Sequence, residues 1–323
     1  MGNASWIALR SSLGHCAVMP ALAWPAGGAL LLATMACRTG VDYEPSAAPR
    51  YVGHVEQATP RLLHGDTLTV VSFNVAFGRQ VDSAIAVLRQ TPELRDADVV
   101  LLQEMDGEGT RRVANALHMS YVYHPAIRHR RTGRDFGNAV LSRWPIVADE
   151  RLVLPYPSHY AGTHRIATAA TLSVCGTPLR VYSTHLGTVA DIRHPRRREQ
   201  LAFVLADAAR FGRAVVGGDL NSGDLGDVAQ ARGFAWPTAH GPRTTLLGRW
   251  DHLFVRGLDT LGAGTVTDNR RASDHVPVWA RVRLDDAHGC SAARTALDTI
   301  RDTQPPFVTW AVPPRAARAS VGS

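Results

Sequence analysis

The sequence predicts a layered α/β domain, and three observations carry that reading. Short apolar segments rich in β-branched residues recur from residue 68 to residue 282. Stretches with helical spacing of apolar residues interrupt them irregularly, and no internal repeat is present. The irregular alternation of strands and helices argues against a solenoid or a helix bundle. The 323 residues are 45% apolar and 20% charged, a globular composition long enough for one large domain with appendages.

The elements follow in order. Residues 68–74 (Leu-Thr-Val-Val-Ser-Phe-Asn) read as the first strand, and Val81, Ile85 and Leu88 place a helix over 81–90. Residues 98–103 form a short strand of the kind covered on both faces. Further strands are expected at 139–141, 167–174, 179–183, 214–216, 252–255 and 276–282, with helices at 109–117 and 196–210. The run Arg196-Arg-Arg198 after Pro195 reads as a solvated helix start.

Outside residues 66–284 the composition changes. Residues 37–65 lack apolar runs and contain a Pro-rich turn region (Glu44-Pro45-Ser-Ala-Ala-Pro49), so a linker is expected. Residues 285–323 are rich in Ala, Arg and Pro and read as a loosely held tail. Residues 16–36 are uncharged, with Arg10 the sole charge upstream, but Pro20, Pro25, Gly27 and Gly28 break the run. A cleaved export signal over 1–36, with Ala36 at the cleavage site, fits better than a membrane span. Met19 is an alternative start. The end of the run, Leu32-Ala-Thr-Met-Ala-Cys37, resembles a bacterial lipoprotein signal, departing from it at Thr34 and Met35. Lipidation of Cys37 and attachment to a membrane are therefore expected, with plain secretion or an uncleaved anchor as alternatives. Cys175 and Cys290 could pair in an oxidising compartment, but they are far apart in sequence and read first as unpaired thiols.

All 35 basic residues are arginine. The absence of lysine excludes Schiff-base lysine chemistry and a Gly-Lys-Ser/Thr phosphate loop. The net charge of +7 does not by itself indicate a nucleic-acid partner, because an arginine-for-lysine bias also follows genomic base composition. No CxxC or HExxH spacing marks a soft-metal site.

The informative polar residues sit at the strand ends. Asn74 closes the first strand, and Glu104 then Asp106 follow the second. His185 follows Val181-Tyr-Ser-Thr, Asp219 and Asn221 follow Val215-Val-Gly-Gly, and Asp251 and Asp274-His275 precede the last two strands. Strand ends are where side chains of α/β proteins converge on a crevice. Carboxylates gathered there repel one another unless a cation neutralises them. Oxygen and amide ligands without thiolate suit Mg²⁺ or Mn²⁺ before Zn²⁺. Taken singly, Asn74 reads as a turn cap, and His185 and His275 as structural histidines. The case rests on the ensemble.

That ensemble is similar to the endonuclease/exonuclease/phosphatase superfamily. The resemblance is carried, in order, by Ser72-Phe-Asn74, Gln103-Glu104, Gly137-Asn138-Ala-Val-Leu-Ser-Arg143, Ser183-Thr-His185-Leu, Gly218-Asp219-Leu-Asn221, Trp250-Asp251-His-Leu-Phe and Ser273-Asp274-His275-Val-Pro, over residues 66–284. It implies a four-layer α/β sandwich, two mixed sheets face to face with helices outside. It also implies a Mg²⁺-dependent hydrolase of phosphodiester bonds, with Mn²⁺ as a substitute ion. In that reading Asn74, Glu104 and Asp274 serve the metal and Asp219 activates water. Asn221 contacts the developing phosphorane, and His275 acts at the phosphate, held by Asp274 or Asp251. His185 meets a phosphoryl oxygen or the leaving group, and Asn138 and Arg165 contact substrate or order the site. A nuclease or general phosphodiesterase is the first expectation, and a phospholipid headgroup hydrolase of sphingomyelinase or phosphoinositide phosphatase type is the alternative. A catalytically silent binding module is remote, because none of these residues is missing. The arginine-rich stretch 128–134 suits a polyanion or a lipid phosphate but reads first as a solvated loop.

Overall fold

The computed structural model describes residues 40–44, 48–55, 67–130 and 132–284. The expected export signal, Cys37 and the 285–323 tail lie outside them. Among the described residues no helix is long and apolar enough to cross a membrane.

Two sheets stack face to face. The first contains β1 (Gly40–Asp42), β2 (Tyr51–Gly53), β3 (Thr67–Asn74), β4 (Val99–Met105), β5 (Ser120–His129), β6 (Asp135–Ser142), β12 (Asp259–Thr265) and β13 (Val278–Arg283). Its order is β1-β5-β6-β4-β3-β13-β12, with β2 also pairing β5. The second contains β7 (Ile146–Val153), β8 (Ile166–Val174), β9 (Thr177–His185), β10 (Ala214–Asp219) and β11 (Asp251–Arg256), in the order β11-β10-β9-β8-β7. Both sheets are mixed: β3 with β4 and β9 with β10 are parallel, and their other neighbours antiparallel.

Helices cover the outer faces. α1 (Val81–Gln90) and α2 (Gly107–Leu117) follow β3 and β4, while α3 (His194–Ala208) and α4 (Gly226–Gln230) flank β10. Three apolar layers result. Val87, Leu88 and Val113 pack under the first sheet with Phe73 and Leu102. Leu68, Leu101, Val181 and Leu253 fill the space between the sheets. Leu201, Val204 and Leu205 pack on Tyr182 and Val216 outside the second sheet. The four-layer sandwich is thus the observed architecture.

Polar residues also tie the sheets together in the middle layer. The fully buried Gln103 accepts from the Ser72 hydroxyl (3.4 Å) and donates to Ser183 Oγ (2.9 Å). Ser183 Oγ in turn donates to the Leu102 carbonyl (2.8 Å). Buried polar groups keep such partners because an unmet one costs on the order of 1–3 kcal/mol. The tie fixes the relative position of the β4 and β9 ends, and those ends carry the site.

Three sequence expectations need correction. Residues 37–65 are not merely a linker: β1 and β2 within them pair with β5, whose free edge offers unmet backbone groups. Arg197 is not solvated but buried, donating to Ser222 Oγ (3.0 Å) and to the Ile192 carbonyl, and burial pushes its pKa down. Cys175, in the β8–β9 turn, is disulfide-bonded rather than a free thiol. Sequence separation does not bear on whether a cysteine is paired, because disulfide geometry depends on folded distance.

Candidate active site

The site lies on one rim of the sandwich, where β3, β4, β9 and β10 end and β11 begins. Asp219 closes β10 in register with His185 at the end of β9 and with Asp251 at the start of β11. Asn74 closes β3 in the facing sheet. Its Nδ2 donates across the gap to Asp219 Oδ2 at 3.1 Å. Local folding makes this approach possible at Gly218, whose φ is 152°. A Cβ there would lie 1.8 Å from the Thr184 carbonyl oxygen, so only glycine lets β10 lie this close to β9.

Glu104 is aimed by a bulge. β4 loses register with β6 between Leu102 and Met105, and Glu104 sits in the gap with φ 58°. A left-handed non-glycine residue costs on the order of 1–3 kcal/mol and persists where its surroundings hold it. Here the backbone N–H of Phe77, itself at φ 62°, donates to Glu104 Oε2 at 3.1 Å. Asn74 Oδ1 accepts from the Ala76 N–H (3.0 Å), closing the tight turn after β3 that brings Phe77 to Glu104.

The acid–imidazole cluster is built around Asp219. Its Oδ1 accepts from the Asn221 N–H at 2.8 Å, and Asn221 Nδ2 donates to the Leu186 carbonyl at 3.2 Å. Its Oδ2 lies 3.4 Å from His185 Nε2 and 3.7 Å from His275 Nε2. His275 Nδ1 lies 2.8 Å from Asp251 Oδ2. Asp251, and not the exposed Asp274, is therefore the partner of His275; Asp274 accepts from the Ser273 hydroxyl (3.3 Å). Arg165 Nη1 approaches His185 Nδ1 at 3.3 Å and its guanidinium lies 5.5 Å from the Phe136 ring centre. Phe136 stands 6.2 Å from the His185 ring and 5.1 Å from Phe77.

Burial sets the electrostatics. It raises Glu104, against the opposing charges of Arg165 and His275. It also pushes Asp219 up to about 7, with the Asp251 charge adding to the shift and His275 opposing it. For His275 burial alone would favour the neutral ring, but the Asp251 and Asp219 carboxylates outweigh it and raise the pKa to about 10. His185 is held well below its ordinary value by burial and by the charges of Arg165 and His275. Hence one imidazole is charged and the other neutral.

These features test the fit of a divalent ion. Asp219, Asp251 and His275 offer ligand atoms within 4.8 Å of one another. His275, however, is protonated between two carboxylates and has no lone pair free. Glu104 and Asn74 offer oxygens beside that cluster, and hard cations prefer oxygen. Asp251 Oδ1 is buried with no hydrogen-bond partner, a further sign of unbalanced negative charge. The donor set fits a hard divalent cation.

All the sequence-derived site residues except Asn138 and Asp274 converge around Asp219. Asn138 is buried beneath the rim, where its Nδ2 donates to the Ile166 and Ser183 carbonyls (2.8 and 3.3 Å) and ties the sheets. The aromatic pair Phe77 and Phe136 went unnoticed in the sequence, since nothing in their spacing distinguishes them from core residues. In the arginine-rich stretch, Arg134 pairs with Asp106 and Arg128 donates to the Gly133 carbonyl, so both are engaged locally.

The family model described as Endonuclease/Exonuclease/phosphatase family matches residues 71–275. Among solved structures, an endonuclease/exonuclease/phosphatase from Beutenbergia cavernae is 22% identical, with a TM-score of 0.54 over 68% of this chain and 72% of that one. A mannosyl-6-phosphatase from Bacteroides thetaiotaomicron is 20% identical, with a TM-score of 0.53 over 67% and 100%. TDP2 from D. rerio, complexed with a single-strand DNA product, is 16% identical, with a TM-score of 0.54 over 68% and 99%. No curated protein matches the sequence. Members of the matched family are generally hydrolases acting on phosphoesters and typically depend on a divalent metal. With the family model matched over most of its length, the chain belongs to the Endonuclease/Exonuclease/phosphatase family.

Proposed function

We propose that the chain is a Mg²⁺-dependent hydrolase of phosphodiester bonds, a nuclease or general phosphodiesterase, in which water attacks phosphorus in line with the leaving group. The observation that carries this reading is the environment of Asp219. Its carboxylate is oriented from both sides, by the Asn221 N–H and by Asn74 Nδ2, and its pKa is pushed up to about 7. A carboxylate so placed suits removal of a proton from water near neutral pH.

The other residues take complementary roles. His275, charged and backed by Asp251, stabilises negative charge developing on the phosphoryl oxygens. Neutral His185 accepts at Nδ1 from Arg165 and presents Nε2–H toward Asp219 and the reacting group. Arg165 supplies a second fixed positive charge, and Asn221 meets the pentacovalent phosphorus centre. Glu104 and Asn74 would hold the metal, and the exposed Asp274, whose charge reaches Glu104, would add to the negative field that attracts it. When bound, the ion supplies neutralisation of phosphoryl charge. Phe77, 38% exposed beside Phe136, supports a nuclease over a lipid headgroup hydrolase, because exposed aromatic rings stack bases.

Hydrolysis of bis(4-nitrophenyl) phosphate tests the site. Glu104→Ala and Asp219→Ala should each lower kcat/KM by at least about 100-fold while unfolding at or near the wild-type temperature. Wild-type rates in both folded variants would reject these assignments.

We further propose export and membrane attachment through lipidated Cys37. The disulfide at Cys175 supports an oxidising compartment. Metabolic fatty-acid label should be lost in Cys37→Ser, and label retained there would end the lipoprotein reading.

A further inference from the structure

Asp42, Tyr43 and Tyr51 precede the family-matched region, yet they are bonded to two positions next to the site. Asp42, the last residue of β1, clamps His164 twice: Oδ1 accepts from the His164 N–H at 2.8 Å and Oδ2 from His164 Nδ1 at 2.7 Å. The next residue is Arg165, whose guanidinium meets His185 and lies over Phe136. On the other side, Tyr43 and Tyr51 both donate their hydroxyls to Asp135, the second at 2.9 Å. The next residue there is Phe136. The same N-terminal segment thus holds the residue just before the site's arginine and the residue just before the ring under that arginine.

We propose that β1 with Tyr43, and Tyr51 of β2, act as a positioning strap of the active site, and that Asp42, through His164, sets Arg165 against His185 and Phe136. The inference rests on the reading of Arg165 as part of the phosphoryl site. Residues 155–164 form a connection without a helix or strand between β7 and β8. Its far end is fixed where the Arg165 carbonyl accepts from the Leu154 N–H at 2.8 Å. The double clamp on His164 fixes the residue before it, so the arginine leaves a backbone held on both sides. Asp42 additionally faces Arg151, whose charge it favours. A purely electrostatic role toward Arg151 is the competing explanation, and the test must separate the two.

A double-mutant cycle in the full chain does so. Asp42→Ala, Arg165→Ala and the double variant are compared for kcat/KM on bis(4-nitrophenyl) phosphate and, independently, for affinity toward inorganic phosphate, with thermal unfolding as the control for folding. Arg165→Ala should lower both by about 100-fold, and Asp42→Ala by about tenfold. The double variant should match Arg165→Ala, because Asp42 acts through that side chain. Asp42→Asn, which keeps an acceptor for the His164 N–H, should recover most of the loss. Multiplied losses in the double variant, or wild-type behaviour of Asp42→Ala beside an impaired Arg165→Ala, would overturn the strap while leaving the phosphoryl site intact. Wild-type behaviour of Arg165→Ala would overturn both the strap and the role given to Arg165. A wild-type protein that neither hydrolyses the diester nor binds phosphate would overturn the proposed function, and the strap with it.

Discussion

Asp219 and His275 show how single positions are made functional by their neighbours. The pair His275–Asp251 follows from register, since Asp251 opens β11 directly across from Asp219. Removing Asp251 leaves His275 buried with one carboxylate instead of two. Asp251→Ala should therefore lower the His275 pKa and cut kcat by about 10- to 100-fold with little change in KM, readable by NMR titration alongside steady-state rates. Gly218 gives a second prediction at this scale. In Gly218→Ala the new methyl meets the Thr184 carbonyl, and separating β10 from β9 should cost on the order of 3 kcal/mol or more in chemical denaturation. A loss under 1 kcal/mol would show that the strands give way easily. The sequence motif Gly217-Gly218-Asp219-Leu-Asn221 marked the spot, but the reason for its second glycine is a contact between strands that no local pattern encodes. The same holds for Glu104, visible as a carboxylate after an apolar strand, while the bulge that turns it toward Asn74 was not. Equally, sequence left Asp251 and Asp274 as rival partners of His275, and only the three-dimensional register decides between them.

At the scale of elements, the strands that carry site residues were readable because each is short, apolar and buried. β3, β6, β8, β9, β10 and β11 contain the segments expected for them, as do α1 and α2, while β4, β13 and α3 overlap theirs with ends one or two residues apart. The strands that escaped notice have a different chemistry. β7 runs Ile-Val-Ala-Asp-Glu-Arg-Leu-Val on a sheet edge, β12 is an exposed edge strand with two glycines, and β5 mixes His, Tyr and Pro among its apolar residues. β7 and β12 lack a continuous apolar face, and β5 buries Tyr121, Val122 and Tyr123 without an alternating apolar pattern, so apolar periodicity does not report them. β1 and β2 are three residues each and owe their conformation wholly to β5. The polar tie between the sheets offers a prediction here. Gln103→Leu leaves the Ser72 and Ser183 hydroxyls without their amide partner and should cost on the order of 2 kcal/mol, measured by urea unfolding. An unchanged midpoint would mean that the middle layer is held by apolar packing alone.

For the whole molecule, stability should depend on pH through groups remote from the site. His124, on β5, is buried against Asp149, and burial lowers its pKa from 6.5 to about 4. The folded state therefore binds fewer protons than the unfolded chain between those values. Its contribution is fully present above pH 6.5 and is lost as pH falls toward 4, by about 3 kcal/mol. Wild type should accordingly lose about that much more stability than His124→Asn between pH 7 and pH 4. Parallel losses in the two proteins would contradict the shift. The same large-scale view explains how the site arises. Two sheets, each with parallel strands ending on the same rim, are locked face to face by the Gln103–Ser183 and Asn138 contacts, so that residues more than a hundred positions apart meet at Asp219.

The most direct test is relaxation of supercoiled plasmid by the purified full chain, with Mg²⁺ against EDTA and Asp219→Ala beside wild type. Nicking should require the metal and disappear in a folded Asp219→Ala variant. A folded wild-type protein that binds Mg²⁺ and leaves the plasmid supercoiled would contradict the nuclease reading, and nicking that persists in Asp219→Ala would contradict the role given to that carboxylate.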